Sequence, residues 1–342
     1  MSAAIADLAK ALTKAVGKND SEDEITNYLD SGYPPLNKII SDDYDKGIPY
    51  GRMGEVYGPS AVGKTVIATS LMIAAQRAGG VACFIDWERA FSTPFAREVG
   101  LDDNPGRFVY KRSKTWEEGN SVAMMVGEAI RKNDLIAPEA PIVCVMDSIA
   151  AAVPQSVIDT VDKKGMAGLS MNDTTALARV ASSTLKIINQ FGAEFNMIMV
   201  YLNQIRVKPG VIYGDPTTTP GGQSMEFYAT WRLALGAKKI MVKEGDDKEF
   251  AGRLITATTK KNKLARPFQE MELRLEYAPD GRAFFNVTLG MIEYLEGLNI
   301  LKKGSKAGEV VWTDGVSYAR KALAAKIDTE AKQAELNALL PR

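Results

Sequence analysis

The sequence predicts an α/β fold: a mostly parallel, twisted sheet with helices on both faces, preceded by a helical arm and followed by a small α+β domain. Three observations carry this. Short apolar runs alternate with helical stretches from about Ser31 onward, the signature of a parallel sheet covered on both sides. A glycine-rich turn lies between a strand pattern and a helix pattern near residue 58. The strong strand patterns end in polar residues, Asp86-Trp87-Glu88, Asp147-Ser148 and Asn203-Gln204, and in open α/β sheets ligands sit beyond such carboxyl ends. The 342 residues suffice for one large domain with appendages.

In chain order, residues 1–16 place Ile5, Leu8, Leu12 and Val16 at helical spacing. The polar run 17–24 detaches this helix from the body, so residues 1–32 read as an arm and linker. Packing onto another subunit is one way to bury its apolar face. Residues 33–280 read as the core. There Glu55-Val56-Tyr57 is a short strand, and Val66 to Ala78 is a helix stopped by Gly79-Gly80. Val81–Ile85, Ile142–Met146 and Met197–Leu202 are buried strands. Trp231–Leu235, Leu254–Thr259 and Met271–Glu276 alternate in polarity and extend the sheet at one edge. Residues 281–342 form the small terminal domain, closing with a helix from about Ser317 to Leu340.

Composition narrows the chemistry. Apolar residues are 46% and charged residues 25%, as in ordinary globular proteins. Lys plus Arg and Asp plus Glu both total 42, so any nucleic-acid site must be local rather than a global basic field. Histidine is absent, which removes His bases, His-dependent nucleophile systems and His metal ligands. Catalysis must run on carboxylates, amides, lysines and bound metal. Cys83 and Cys144 sit in apolar strand patterns and read as core. No apolar run approaches the roughly 18 residues of a membrane span, and the N-terminus lacks a signal-type apolar stretch. A cytoplasmic protein with no membrane partner is expected.

Gly58-Pro59-Ser60-Ala61-Val62-Gly63-Lys64-Thr65 fits the phosphate-binding pattern G-x-x-x-x-G-K-[ST]. Its glycines let successive N–H groups turn onto one phosphate chain, and the following helix adds the positive end of its dipole. Lys64 can reach the β and γ oxygens, and the Thr65 hydroxyl can ligate a bridging Mg²⁺. Asp147, after Ile142-Val143-Cys144-Val145-Met146, has the Walker-B placement for holding that ion through water. Glu88 is a candidate for orienting or deprotonating water, and equally readable as a surface glutamate. Gln204 can touch a γ-phosphate, or be a solvated strand cap.

Longer stretches decide between these. Gly51 to Pro59, Phe84 to Glu88, Met146 to Ala151 and Asn203 to Lys208 resemble successive motifs of the bacterial RecA recombinase family. So does Pro209 to Tyr228, with Tyr213-Gly214-Asp215-Pro216 and Thr217-Thr218-Thr219-Pro220-Gly221-Gly222. The likeness covers about residues 33–280. It implies a RecA-like P-loop NTPase core and an ATP- and Mg²⁺-dependent filament on single-stranded DNA, which pairs that strand with homologous duplex in a bacterial or phage-infected cell. ATP would lie between subunits. Glu88 then matches the carboxylate that activates water, Gln204 the γ-phosphate sensor, and Phe95 an aromatic stacking on adenine. Lys261 and Lys263 match paired lysines reaching the neighbour's ATP. A ring-forming helicase and a non-hydrolysing recombination mediator are the alternatives.

A protein that pairs any sequence with its complement must hold backbone and leave bases free. Arg206 and Lys208, with amides near Gly221 and Gly222, suit phosphate contacts, and Val207, Val211 and Ile212 suit wedges between base steps. A first DNA loop is expected at about Asp159 to Asn172, with Gly165 and Met166 as contacts and Gly165 and Gly168 giving flexibility, although this stretch departs from the family motif. Glu226 stands where the family usually has a lysine contributing across the subunit interface, and Gln223 replaces an asparagine. The sequence ends at Pro341-Arg342 without an acidic tail, which would suit a phage-encoded member.

Overall fold

The computed structural model describes residues 10, 11, 14, 25–207, 217–244 and 247–341. The arm residues Ile5, Leu8, Leu12 and Val16 lie outside these, as do Lys208, Val211 and Ile212.

A nine-stranded sheet organises the chain. Its strands in chain order are β1 (Met53–Gly58), β2 (Val81–Asp86), β3 (Phe108–Arg112), β4 (Ile142–Asp147), β5 (Met197–Gln204), β6 (Trp231–Glu244), β7 (Asp247–Asn262), β8 (Glu270–Tyr277) and β9 (Ala283–Phe285). In space they run β9-β8-β7-β6-β1-β5-β4-β2-β3. The six from β6 to β3 pair in parallel, and the remaining three pairs are antiparallel. The phosphate-loop strand β1 is therefore interior, between β6 and β5.

Strand periodicity explains why the central runs are apolar throughout. Ala82, Phe84, Val143, Val145, Ile198, Val200 and Leu202 join the core on one face. Their alternates Val81, Cys83, Ile85, Ile142, Cys144, Met146, Met197, Met199 and Tyr201 join a second core on the other. With successive side chains pointing to opposite faces, only a sheet covered on both sides buries every position. Cys83 and Cys144 are free and buried, as their sequence context predicts. Among the described residues, no helix is long and apolar enough to cross a membrane.

The edge departs from expectation. Instead of three short strands, β6 and β7 form a long hairpin, with register shifts at Arg232/Leu233 and Ile240/Met241. Only Trp231–Ala234 of β6 pair with β1, so the rest of the hairpin extends beyond the parallel strands. The expected terminal helix is also corrected. Ser317–Ala319 is a strand paired with Glu309–Val311, followed by helices Arg320–Thr329 and Gln333–Ala338. Ile327 and Leu336 are nine positions apart, about half a turn out of phase in one continuous helix of 3.6 residues per turn. Breaking it at Ala331, with φ 53°, lets both reach the core. Leu289, Ile292, Leu323, Ile327 and Leu336 join the same buried cluster as Phe84 and Val145.

The expected first DNA loop is also largely helical. Helix Gln155–Lys164, a single 3₁₀ turn at Met166–Gly168 and helix Met171–Thr174 lead into helix Ala176–Glu194. Gly165, with φ 69°, forms the joint between the first two, where a side chain would be strained.

Candidate nucleotide-binding site

β1 ends at Gly58, and helix Lys64–Arg77 begins at Lys64, two residues before the expected start. Between them the loop turns through Ala61 (φ 57°) and Gly63 (φ 106°). Glycine is needed at Gly63 twice over: a Cβ there would be strained and would lie 2.5 Å from Ile255 Cδ1. Lys64 Nζ folds over the loop and donates to the carbonyls of Gly58 at 3.1 Å and Pro59 at 2.8 Å. The ammonium is thus held at the loop mouth by neutral acceptors. Burial lowers its pKa, against the pull of Asp147 and Glu88.

Parallel pairing brings the other candidates to the same edge. Asp86 and Asp147 are register partners on β2 and β4, and Gly58 and Gln204 are partners on β1 and β5. A cavity of about 300 Å³ is lined by Ser60 to Thr65 together with Glu88, Phe95, Asp147 and Gln204. Thr65 Oγ1 donates to Asp147 Oδ2 at 3.1 Å. Burial pushes Asp147 up to about 7; the Glu88 charge adds to this, and the Thr65 bond opposes it. Glu88 Oε1 accepts from the Ser148 hydroxyl and, at 3.0 Å, from Gln204 Nε2. Glu88 therefore joins the ends of three strands. Asp86 is occupied locally: its carboxylate accepts from Arg89 N at 2.5 Å and the Tyr110 hydroxyl at 2.8 Å.

The donor set suits a hard divalent cation. A buried carboxylate with an elevated pKa and an adjacent hydroxyl are oxygen ligands in want of positive charge. Among the described residues no group of three or more Cys, Asp or Glu side chains is placed to hold a metal alone.

Lys261 and Lys263 do not line this cavity. They cap the short helix Ser224–Tyr228: Lys261 Nζ donates to the carbonyls of Glu226 and Phe227, the latter at 3.1 Å, and Lys263 Nζ lies 3.4 Å from the Phe227 carbonyl. Burial, then the charges of Lys263 and Arg232, lower Lys261 to about 8. Glu226 turns inward within its own chain, its carboxylate 3.3 Å from Arg232 Nη1. Phe227 beside it is 67% exposed.

The two flanks of the segment expected to hold DNA, 206–207 and 217–222, are tied down. Arg206–Val207 pairs with Thr217–Thr218. Asn203 Nδ2 donates to Glu55 Oε1 at 2.8 Å and to the Pro220 carbonyl at 3.0 Å, while its Oδ1 accepts from Gln204 N. Arg232 Nε bonds the other Glu55 oxygen, and its Nη2 reaches Thr219 Oγ1 at 3.4 Å. Gly221 and Gly222 have φ of 88° and 69°, so the turn beyond Pro220 needs glycine. Met166 is 73% exposed and Arg206 is exposed.

Sequence reasoning missed Arg253 and Tyr277, which also line the cavity, and the Glu55–Arg232 pair. A signal for the pair was present. Glu55 is a charge in the short strand leading into the phosphate loop, which demands a partner if that strand is buried, and Arg232 stands in the alternating strand pattern 231–235.

A strand, glycine loop and helix carrying Lys64 and Thr65, with Asp147 on a neighbouring strand, define the class: a P-loop α/β nucleotide-binding protein. Comparison with known proteins gives the family. The model for the RecA N-terminal domain matches residues 3–281. The RecA protein of Clostridium tetani is 35% identical over 233 residues, covering 68% of this chain and 60% of that protein. RecA of Thermus aquaticus is 33% identical over 231 residues, covering 68% and 62%. The matched region thus spans about 60% of the length of these relatives. The chain belongs to the RecA family.

Proposed function

We propose that this chain is an ATP-dependent DNA strand-exchange recombinase. On this reading it polymerises on single-stranded DNA, pairs that strand with a homologous duplex, and uses DNA-stimulated ATP hydrolysis to control filament turnover. The observation that carries the reading is the convergence of Lys64, Thr65, Asp147, Glu88 and Gln204 on one cavity, with Gln204 heading the loop expected to bind DNA.

Each residue has a task the geometry permits. The 58–65 loop and Lys64 bind the phosphates, and Thr65 and Asp147 hold Mg²⁺, which neutralises phosphate charge when bound. Glu88 accepts the proton of the attacking water. Gln204 exchanges its bond with Glu88 for one with the terminal phosphate, so that the loop beyond it reports nucleotide state. Lys261, Lys263 and the exposed Phe227 lie together on one surface, suited to a neighbouring subunit with ATP at the junction. The exposed Arg206 holds DNA backbone, a task the sequence also assigns to Lys208, which lies outside the described residues. Exchanging one strand for an identical one makes about as many base pairs as it breaks, so protein contacts must tip the balance.

The test is joint-molecule formation between single-stranded DNA and homologous or unrelated supercoiled duplex. It is run with ATP, with a non-hydrolysable analogue and without nucleotide, beside a Lys64→Ala control. Product is expected only with homologous duplex, with either triphosphate, and not with the control. DNA-stimulated turnover without joint molecules would replace the recombinase reading by that of a translocating motor.

A further inference from the structure

Arg253 belongs to the antiparallel edge of the sheet, yet its side chain enters the phosphate-loop cavity. One of its terminal nitrogens donates to the main-chain carbonyl of Ala61 at the loop tip. The guanidinium stands 5.9 Å from the centre of the Phe250 ring. Among the described residues that is its one hydrogen bond, and it has no carboxylate partner. An arginine carries five N–H donors and no acceptor, so most of this group's capacity is unspent. The bond lies at an exposed site, so water takes up the remaining donors until a ligand supplies acceptors.

The cavity indicates which part of a ligand that is. Lys64, Thr65 and Asp147 mark the end for phosphate and cation. Arg253 and Ile255 share one face of β7, and Leu275 and Tyr277 share one face of β8, with Arg253 and Leu275 as register partners. Together with Phe95 they make an apolar, aromatic wall suited to a flat ring, with one charged donor set in it. Guanine offers its O6 and N7 acceptors side by side, the usual bidentate target of arginine, whereas adenine sets an amino donor beside N7. We propose that Arg253 reads the purine and lets this site accept guanine nucleotides alongside adenine nucleotides. This rests on the phosphate-site reading above and goes beyond it by assigning base selectivity to one side chain.

The test is calorimetric titration of the full chain with ATP and GTP, each with Mg²⁺, for wild type, Arg253→Ser and Arg253→Lys. Wild type is expected to bind GTP within about ten-fold of ATP. A bidentate arginine–guanine pair discriminates by about ten-fold or more, so Arg253→Ser should lose at least that factor for GTP while ATP affinity moves less than about three-fold. Arg253→Lys, with a compact ammonium in place of the fork, should fall between them. Three results would overturn the proposal: wild type that binds ATP but not GTP, an Arg253→Ser variant with unchanged selectivity, or one that loses both nucleotides equally. Folded wild type that binds neither nucleotide would instead remove the phosphate-site reading, and this inference with it.

Discussion

Replacing Arg232 by methionine tests how the fold pairs a fully buried charge. Glu55 is 0% exposed and Arg232 7%. Burial raises the Glu55 pKa, while Arg232 and the Asn203 amide pull it down. Removing the guanidinium leaves a buried carboxylate with Asn203 as its remaining polar partner, a change that typically costs about 3–5 kcal/mol. The loss should depend on pH, with a definite sign. A carboxyl whose folded pKa lies above its unfolded value destabilises the fold fully above the folded pKa, and not at all below the unfolded one. Without Arg232 the folded pKa rises further, so the deficit should be largest at pH 8 and shrink toward pH 5. The assay is urea unfolding followed by far-ultraviolet circular dichroism across that range. Glu55→Gln/Arg232→Met, which removes both charges and keeps an acceptor for Asn203, should recover most of the loss. A deficit below about 1 kcal/mol at pH 8, or one equal at both pH values, would refute the assignment of the pair as a buried ion pair.

Three further outcomes are expected. Glu88→Gln should keep ATP binding while slowing hydrolysis by about 10²–10⁴, the usual contribution of a general base; wild-type turnover in a pure preparation would sink that role. Without divalent cation, the raised Asp147 pKa, about 7, means that native stability falls as pH rises from about 4 to 7, by up to about 4 kcal/mol. Asp147→Asn should therefore unfold at higher urea than wild type at pH 8 and lose that advantage at pH 4, and a pH-independent difference in midpoint would count against it. Gly54→Ala would put a Cβ 2.1 Å from the Trp231 ring, so its thermal midpoint should drop by an amount matching the roughly 1–3 kcal/mol of an overpacked core; an unchanged midpoint would show that β1 and β6 can separate.

The parallel strands were legible because burial on both faces leaves an unbroken apolar run ending in a polar side chain, as at Asp147. The phosphate loop was legible because its backbone geometry demands glycines at fixed positions. Glu88 and Gln204 were ambiguous as residues, since an exposed glutamate and a strand-end amide have bland explanations; the family resemblance singled them out, and the geometry places both at the cavity. The long hairpin was not legible. Beyond Leu235, β6 is held by pairing with β7 alone among the described strands, and Lys238, Lys239 and Lys243 interrupt any apolar period. Arg253 was hidden for the same reason, because a cation in an alternating edge strand normally faces water. The break in the terminal helix was not legible because helix-forming residues run through it, and it shows only in the phase of Ile327 and Leu336, which cannot share one face of a continuous helix.

The arrangement around Asn203 limits how a nucleotide signal could travel. Asn203 is buried and makes three hydrogen bonds, to Glu55, to the Pro220 carbonyl and to the amide of Gln204. Moving the strand end would break all of them and loosen the Glu55–Arg232 pair behind them. Among the described residues the Gln204 side chain has one hydrogen bond, to Glu88, an exchangeable contact at the cavity edge. On the proposed function, a terminal phosphate competing for the Gln204 amide would therefore move that side chain at small cost while Asn203 keeps the strand end fixed. The same exchange releases one acceptor site on Glu88 Oε1, leaving it open to a water molecule. On the proposed function, sensing and activation are then two consequences of one broken hydrogen bond. The variant Gln204→Glu, which places a second carboxylate beside Glu88 and takes away the amide donor, should impair both together.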